Sequence, residues 1–167
     1  DLGAKEAIDL AFRRALELGL VDGPRYMVCG QPIIATGGHT PYMGVQVDGP
    51  IEARKATREQ LRRGVDWVKM MVTGGIMTQG TDPRRQQLFR DEIEAVVETA
   101  HAAGARVAAH CQGGPGLRDA LSAGIDSLEH GIWLDDASIE LLLERNTAFV
   151  PTLSAIYLIS TGTPVAG

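Results

Sequence analysis

Apolar residues along this chain switch regularly between a helical rhythm and short continuous runs. Residues 4–19 place Ala7, Ile8, Ala11, Phe12, Ala15, Leu16 and Leu18 at helical spacing, with Gly19 as a stop. Tyr26–Ala35 is an apolar run of strand length that opens into Thr36-Gly37-Gly38-His39. Pro41 to Pro50 reads as a loop, and Ile51–Arg63 as a charged amphipathic helix ended by Gly64. Val65–Val72 predicts the next strand, followed by a glycine-rich polar loop to about Arg85. Asp91–Ala103 predicts a helix with Ile93, Val96, Val97 and Ala100 on one face and Gly104 as its stop. Ala105–His110 predicts a strand, Cys111–Gly116 its loop, and Leu117–Ala123 a short helix stopped by Gly124. Ile125–Glu129 predicts a strand ending in His130-Gly131. Asp135 and Asp136 sit where they can cap a helix through Arg145, and Ala148–Leu153 is the last strand. The tail from Ile156 is too short to assign.

Five strands alternating with helices predict an α/β fold of parallel βαβ units, read here as one unit over residues 1–167. Near-continuous apolar strands suit a sheet covered on both faces. The repeat length is that of a (β/α)8 barrel, which needs ~250 residues, so five strands do not close one. Two architectures remain: an open doubly wound sheet, or an incomplete piece of a barrel.

Charge and cysteine usage narrow the function classes. The net charge is −5, and the arginine pairs Arg13-Arg14, Arg62-Arg63 and Arg84-Arg85 are isolated, so no basic cluster exists to neutralise nucleic-acid phosphates. No apolar run reaches the roughly 20 residues of a membrane helix, so no membrane partner is expected. Cys29 and Cys111 show no CxxC spacing and read as free thiols of a reducing, cytoplasmic compartment, with a pairing of the two left open. The chain starts without Met at Asp1-Leu2-Gly3, so the lack of a targeting segment carries no weight.

In a parallel sheet the active site lies beyond the carboxyl ends of the strands. The polar residues expected there are His39, Lys69, His110 and His130; the fourth histidine, His101, falls mid-helix and reads as a surface residue. A single strand-end histidine is more often a hydrogen-bonded structural residue than a ligand. Lys69 is harder to dismiss, because a lysine within an apolar strand needs a partner or a modification to offset desolvation. Lys69, His110 and His130 on three successive strands form a joint pattern. Neutral imidazole is the commonest metal ligand, and a lysine that has reacted with carbon dioxide becomes an anionic carbamate able to bridge metals.

Val68-Lys69 followed by Thr73-Gly74-Gly75, then Ala108-Ala109-His110, then Ser127-Leu128-Glu129-His130-Gly131 resembles the amidohydrolase superfamily. Its imidazolonepropionase-like and prolidase-like (Xaa-Pro and Xaa-Arg dipeptidase) members are the nearest in pattern. Thr36-Gly37-Gly38-His39 and Val150-Pro151-Thr152-Leu153 are similar to that group too. The resemblance implies a metal-dependent hydrolase on a (β/α)8 barrel, with one or two divalent metals, zinc by expectation. It implies that Lys69, as a carbamate, bridges the metals and that His110 and His130 bind one of them, these three being the catalytic set. It also implies cleavage of an amide or peptide carbon–nitrogen bond in a small molecule by metal-activated hydroxide: a dipeptide, an acylated amino acid or a cyclic amide. His39, and Arg84 and Arg85 as partners for a substrate carboxylate, are the substrate-binding candidates, with exposed loop charge the bland alternative for the arginines.

Two family elements have no counterpart in this sequence: the His-x-His pair of the first barrel strand and the aspartate of the eighth. The expectation is therefore an internal piece spanning about strand 3 to strand 7. It would have little or no activity alone, and its open sheet edges would be covered by the rest of the protein or by a second copy in a homo-oligomer. Two rival classes compete. A Schiff-base aldolase would use Lys69 as nucleophile, against which the two histidines speak. A nucleotide-binding module would use the glycine-rich loops, but Gly74-Gly75-Ile76-Met77-Thr78-Gln79-Gly80 matches neither phosphate-binding motif.

Overall fold

The computed structural model describes residues 1–162; the last five residues of the tail lie outside them. A short turn of 3-10 helix at Lys5–Ala7 leads into α1 (Ile8–Glu17). Then follow β1 (Ile33–Ala35), β2 (Val45–Val47), α2 (Pro50–Arg62), β3 (Trp67–Met71), α3 (Arg90–Ala102) and β4 (Arg106–Gly113). The series closes with α4 (Pro115–Ala123), β5 (Ser127–Trp133), α5 (Asp136–Arg145), β6 (Ala148–Val150) and α6 (Leu153–Ser160).

Among the described residues six strands, not five, form one sheet in the order β2-β1-β3-β4-β5-β6, every pair parallel. The extra strand is Val45–Val47, inside the segment expected to be loop. It pairs with β1 from Ile33↔Val45 to Ala35↔Val47, and three residues are too few to show a periodicity. The expected strand Tyr26–Ala35 is paired only at its end. Upstream, the amide of Val28 goes to the Asp66 carboxylate and those of Cys29 and Gly30 to Asp9, while the Val28 carbonyl accepts from the backbone amides of Asp66 and Trp67, so no regular ladder forms there. The last strand is likewise shorter than Ala148–Leu153, and a helix begins at Leu153 where no element was expected. The Asp135 cap is as expected: its carboxylate accepts from the Ser138 amide at 2.8 Å.

β1, β3, β4, β5 and β6 follow one another in chain order, while the three-residue β2 stands on the outer side of β1. Helices α2 to α5 pack in series, each on the next, as on the outside of a barrel wall. The fold is a piece of a (β/α)8 barrel whose sheet is not closed in this chain. The face towards the helices carries Val68, Met70, Val107, Ala109, Cys111 and Leu128, packed with Ile93, Val96, Val97, Leu117 and Leu121. Strand alternation therefore puts Lys69, Ala108, His110, Ser127 and Glu129 on the opposite face. Cys29 and Cys111 are free and buried, and burial pushes both thiols up to about 12, far from reactive thiolates. Among the described residues no helix is long and apolar enough to cross a membrane.

Candidate active site

Lys69 lies on β3 at 3% exposure, and its ammonium donates to Glu129 on β5 at 2.5 Å. The register explains how it reaches across an intervening strand. Lys69 is level with Ala108 on β4, and Ala108 with Ser127 on β5. Neighbouring strands lie about 4.8 Å apart. The methyl of Ala108 leaves room for the lysine stem to cross β4. The other Glu129 oxygen accepts from the Ser127 hydroxyl at 2.5 Å, so a buried carboxylate is held from two sides. In the sequence Glu129 stands out as a strand end and as part of the Ser127–Gly131 motif, without a role of its own. The signal that points to it is the counter-charge that a buried lysine demands.

One residue pair further along, His110 on β4 is 4% exposed and donates from Nε2 to the Gly74 carbonyl at 2.8 Å. That bond fixes the tautomer and leaves Nδ1 with its lone pair. His130 follows Glu129 on β5, where simple alternation would send its ring to the helix face. Its left-handed backbone (φ 77), followed by Gly131 (φ 55), breaks the alternation. The β4–β5 register shifts at the same place, between Cys111 and Gly113. The His130 ring consequently stands edge-on to His110, with centroids 4.7 Å apart, and its Nδ1 shares a 2.7 Å hydrogen bond with the Thr152 hydroxyl. Thr152, just past β6, was not a sequence candidate.

His39 joins the same group. Its ring stacks on His110 at 4.5 Å, and Nδ1 bonds the Thr78 hydroxyl at 2.8 Å. A methyl group added to Gly75 would lie 2.2 Å from the His39 ring, so the Gly74–Arg85 loop closes directly over it. The two arginines part company. Arg85 is exposed and pairs with Asp82 at 3.4 Å, whereas Arg84 lies over the Trp133 ring at 4.5 Å. His101 is an exposed partner of Asp126 at 2.9 Å, as a surface residue would be.

Burial pushes the His110 pKa well below its ordinary value and the His130 pKa down to about 4, with the Lys69 charge acting in the same direction on both. His39 is lowered too, first by burial and then by Lys69. All three rings are neutral near pH 7, the form in which imidazole binds metals. The unfolded chain titrates near the ordinary value of 6.5, so between pH 6.5 and about 4 it takes up protons that the folded protein refuses. Stability should fall as pH drops through that window. The urea midpoint at pH 5 is expected below that at pH 7, and an unchanged midpoint would contradict the neutral-ring assignment.

Among the described residues no three His, Cys, Asp or Glu side chains are grouped to hold a metal. Among the described residues no hydrogen bond is made by His110 Nδ1 or His130 Nε2, and these two nitrogens suit two positions of a zinc-type site. A carbamate on Lys69 would put a second anion beside Glu129 in a buried place. It fits there only together with bound cations.

A profile of the amidohydrolase family matches residues 1–166. The chain is 31% identical to the ochratoxinase of Aspergillus niger over 176 residues, covering 89% of this chain and 37% of that protein. The crystal structure of that ochratoxinase superposes with a TM-score of 0.89 at 27% identity, over 99% of this chain and 43% of the other. A crystal structure of a Xaa-Pro dipeptidase with methionine bound in its active site superposes with a TM-score of 0.91 at 32% identity, over 96% of this chain and 43% of the other. This chain thus spans less than half the length of each.

Proposed function

Because this chain belongs to the amidohydrolase family, we propose that it supplies half of the metal site of a hydrolase that cleaves amide or peptide carbon–nitrogen bonds in small molecules. The observation that carries the reading is the edge-on pair of neutral imidazoles, His110 and His130, beside the buried Lys69–Glu129 pair at the strand ends. His110, His130 and a carbamate on Lys69 would hold the cation, with the remaining donors coming from outside these 167 residues. A divalent metal bound there supplies Lewis acidity and lowers the pKa of a bound water.

The chain's own groups do the orienting. The Gly74 carbonyl and the Thr152 hydroxyl fix the two rings, and Glu129 balances the lysine while it is an ammonium. The loop closes on His39 and keeps it buried. An aldolase reading is disfavoured because the Lys69 amine is engaged by a buried carboxylate and presents no free nucleophile.

The test uses the full-length protein. Metal analysis should find one or two zinc-like ions per chain, and a panel of dipeptides and N-acyl amino acids should be hydrolysed, with activity lost to a chelator and restored by metal. Hydrolysis that persists in the metal-stripped protein, or borohydride trapping of a carbonyl substrate on Lys69, would overturn the reading.

A further inference from the structure

Away from the strand ends, the charges on the outer helices are sorted by sign. On α3 opposite charges alternate by turns, with Arg90 paired to Glu94 at i and i+4 over 2.8 Å. On α2, Arg54, Arg58 and Arg62 follow at that same spacing with one sign, and Lys55 stands beside them. On α5, Asp136, Glu140 and Glu144 repeat the spacing with the opposite sign. Like charges at i and i+4 repel, so each row weakens its own helix. Among the described residues Arg58, Arg62, Asp136, Glu140 and Glu144 have no ion pair, and Arg54 reaches Glu98 only at 3.8 Å.

Each row has an apolar companion. Ile51, at the start of α2, is 83% exposed, and a shallow hollow of about 350 Å³ runs along Ile51, Arg54, Arg58 and Arg62. On α5, Ile139 and Leu143 form a ridge one residue before the acids, and Leu143 is 71% exposed.

Rows of residues four apart are the ridges through which helices pack, and fitting two such rows together is the commonest helix contact. Set antiparallel, these rows bring Arg62 to Asp136, Arg58 to Glu140 and Arg54 to Glu144, with Leu143 near Ile51. The antiparallel sense also places opposite ends of the two helix dipoles side by side. Within one chain the rows do not meet, because α3 and α4 pack between α2 and α5. A polyanion would match α2 alone and leave the acidic row unexplained, whereas another molecule of this protein answers both.

We propose that the α2 face of one copy docks on the α5 face of a second copy, the opposed rows neutralising each other and Leu143 filling the hollow beside Ile51. The two faces differ, so the contact is heterologous and leaves one face of each kind for a further copy, as in a ring or a chain. The inference stands apart from the hydrolase reading.

Sedimentation velocity on the full-length protein tests it. The unaltered protein should associate, and about 1 M salt, where the screening length falls to about 3 Å, should loosen the contact. R58E/R62E and E140R/E144R should each raise the dissociation constant by about 100-fold or more, because each sets like charges face to face. Mixed in equal amounts, the two variants should associate again, since the acidic α2 of one fits the basic α5 of the other. Circular dichroism checks that each variant is folded, and the milder R58Q/R62Q and E140Q/E144Q should weaken association in the same direction. An unaltered protein that stays monomeric, reversed variants that associate as before, or a mixture no more associated than its parts would overturn the contact. Retention of a monomer on polyphosphate through Arg58 and Arg62 would give α2 a different occupant and overturn it as well.

Discussion

Glu129→Leu is expected to cost the metal-stripped protein about 3–5 kcal/mol of folding stability, the penalty for removing one partner of a buried ion pair. Lys69 would keep its ammonium at 3% exposure with its carboxylate partner gone. The Ser127 hydroxyl would lose its acceptor as well. The leucine offers no compensation, because the neighbouring small side chain is Ala108, which provides clearance rather than a pocket. Adding Lys69→Met should recover most of the loss, since replacing both ions with apolar groups is often neutral. Urea unfolding of the two variants reads the result. A single variant within about 1 kcal/mol of the unaltered protein would show that the pair does not hold the strand ends together.

His110→Ala is expected to lower kcat/KM of the full-length enzyme by about a thousandfold or more, the scale of several kcal/mol of metal-derived stabilisation. Metal content should fall in parallel. The same substitution removes one of the two donors on the Gly74 carbonyl, the Thr73 hydroxyl at 3.0 Å remaining, a loss of about 0.5–1.5 kcal/mol, so stability must be read separately. Thermal unfolding of the metal-free variant measures that part alone. A variant that keeps its metal and its rate would remove His110 from the site.

Much of this site could be read from residue types and their order. A lysine within an apolar run and histidines at the next two strand ends mark the candidate edge, because in parallel sheets the strand-end edge is fixed by topology. Helix positions followed the 3.6 rhythm closely, as Asp91–Ala103 against the observed Arg90–Ala102 shows. Strand ends did not follow as well. β4 runs on to Gly113 and β5 to Trp133, through glycines that read as loop, because ladder pairing overrides the local preference of single residues. Glu129 was missed as the partner of Lys69 for a related reason. Its importance lies in what faces it, and nothing in its local sequence encodes that.

The sequence by itself determined the alternation of strands and helices, the edge on which Lys69, His110 and His130 meet, and the resemblance that names the family. Only the tertiary structure decided which groups touch. The reach of Lys69 over Ala108 to Glu129 depends on the register of three strands. The aim of the His130 ring depends on a left-handed residue at a register shift. The division between a neutralised Arg85 and a stacked Arg84 depends on where a pinned loop meets the end of β5. Local pattern reports burial and periodicity, whereas side-chain partners across strands are set by register and backbone twist, which belong to the assembled sheet.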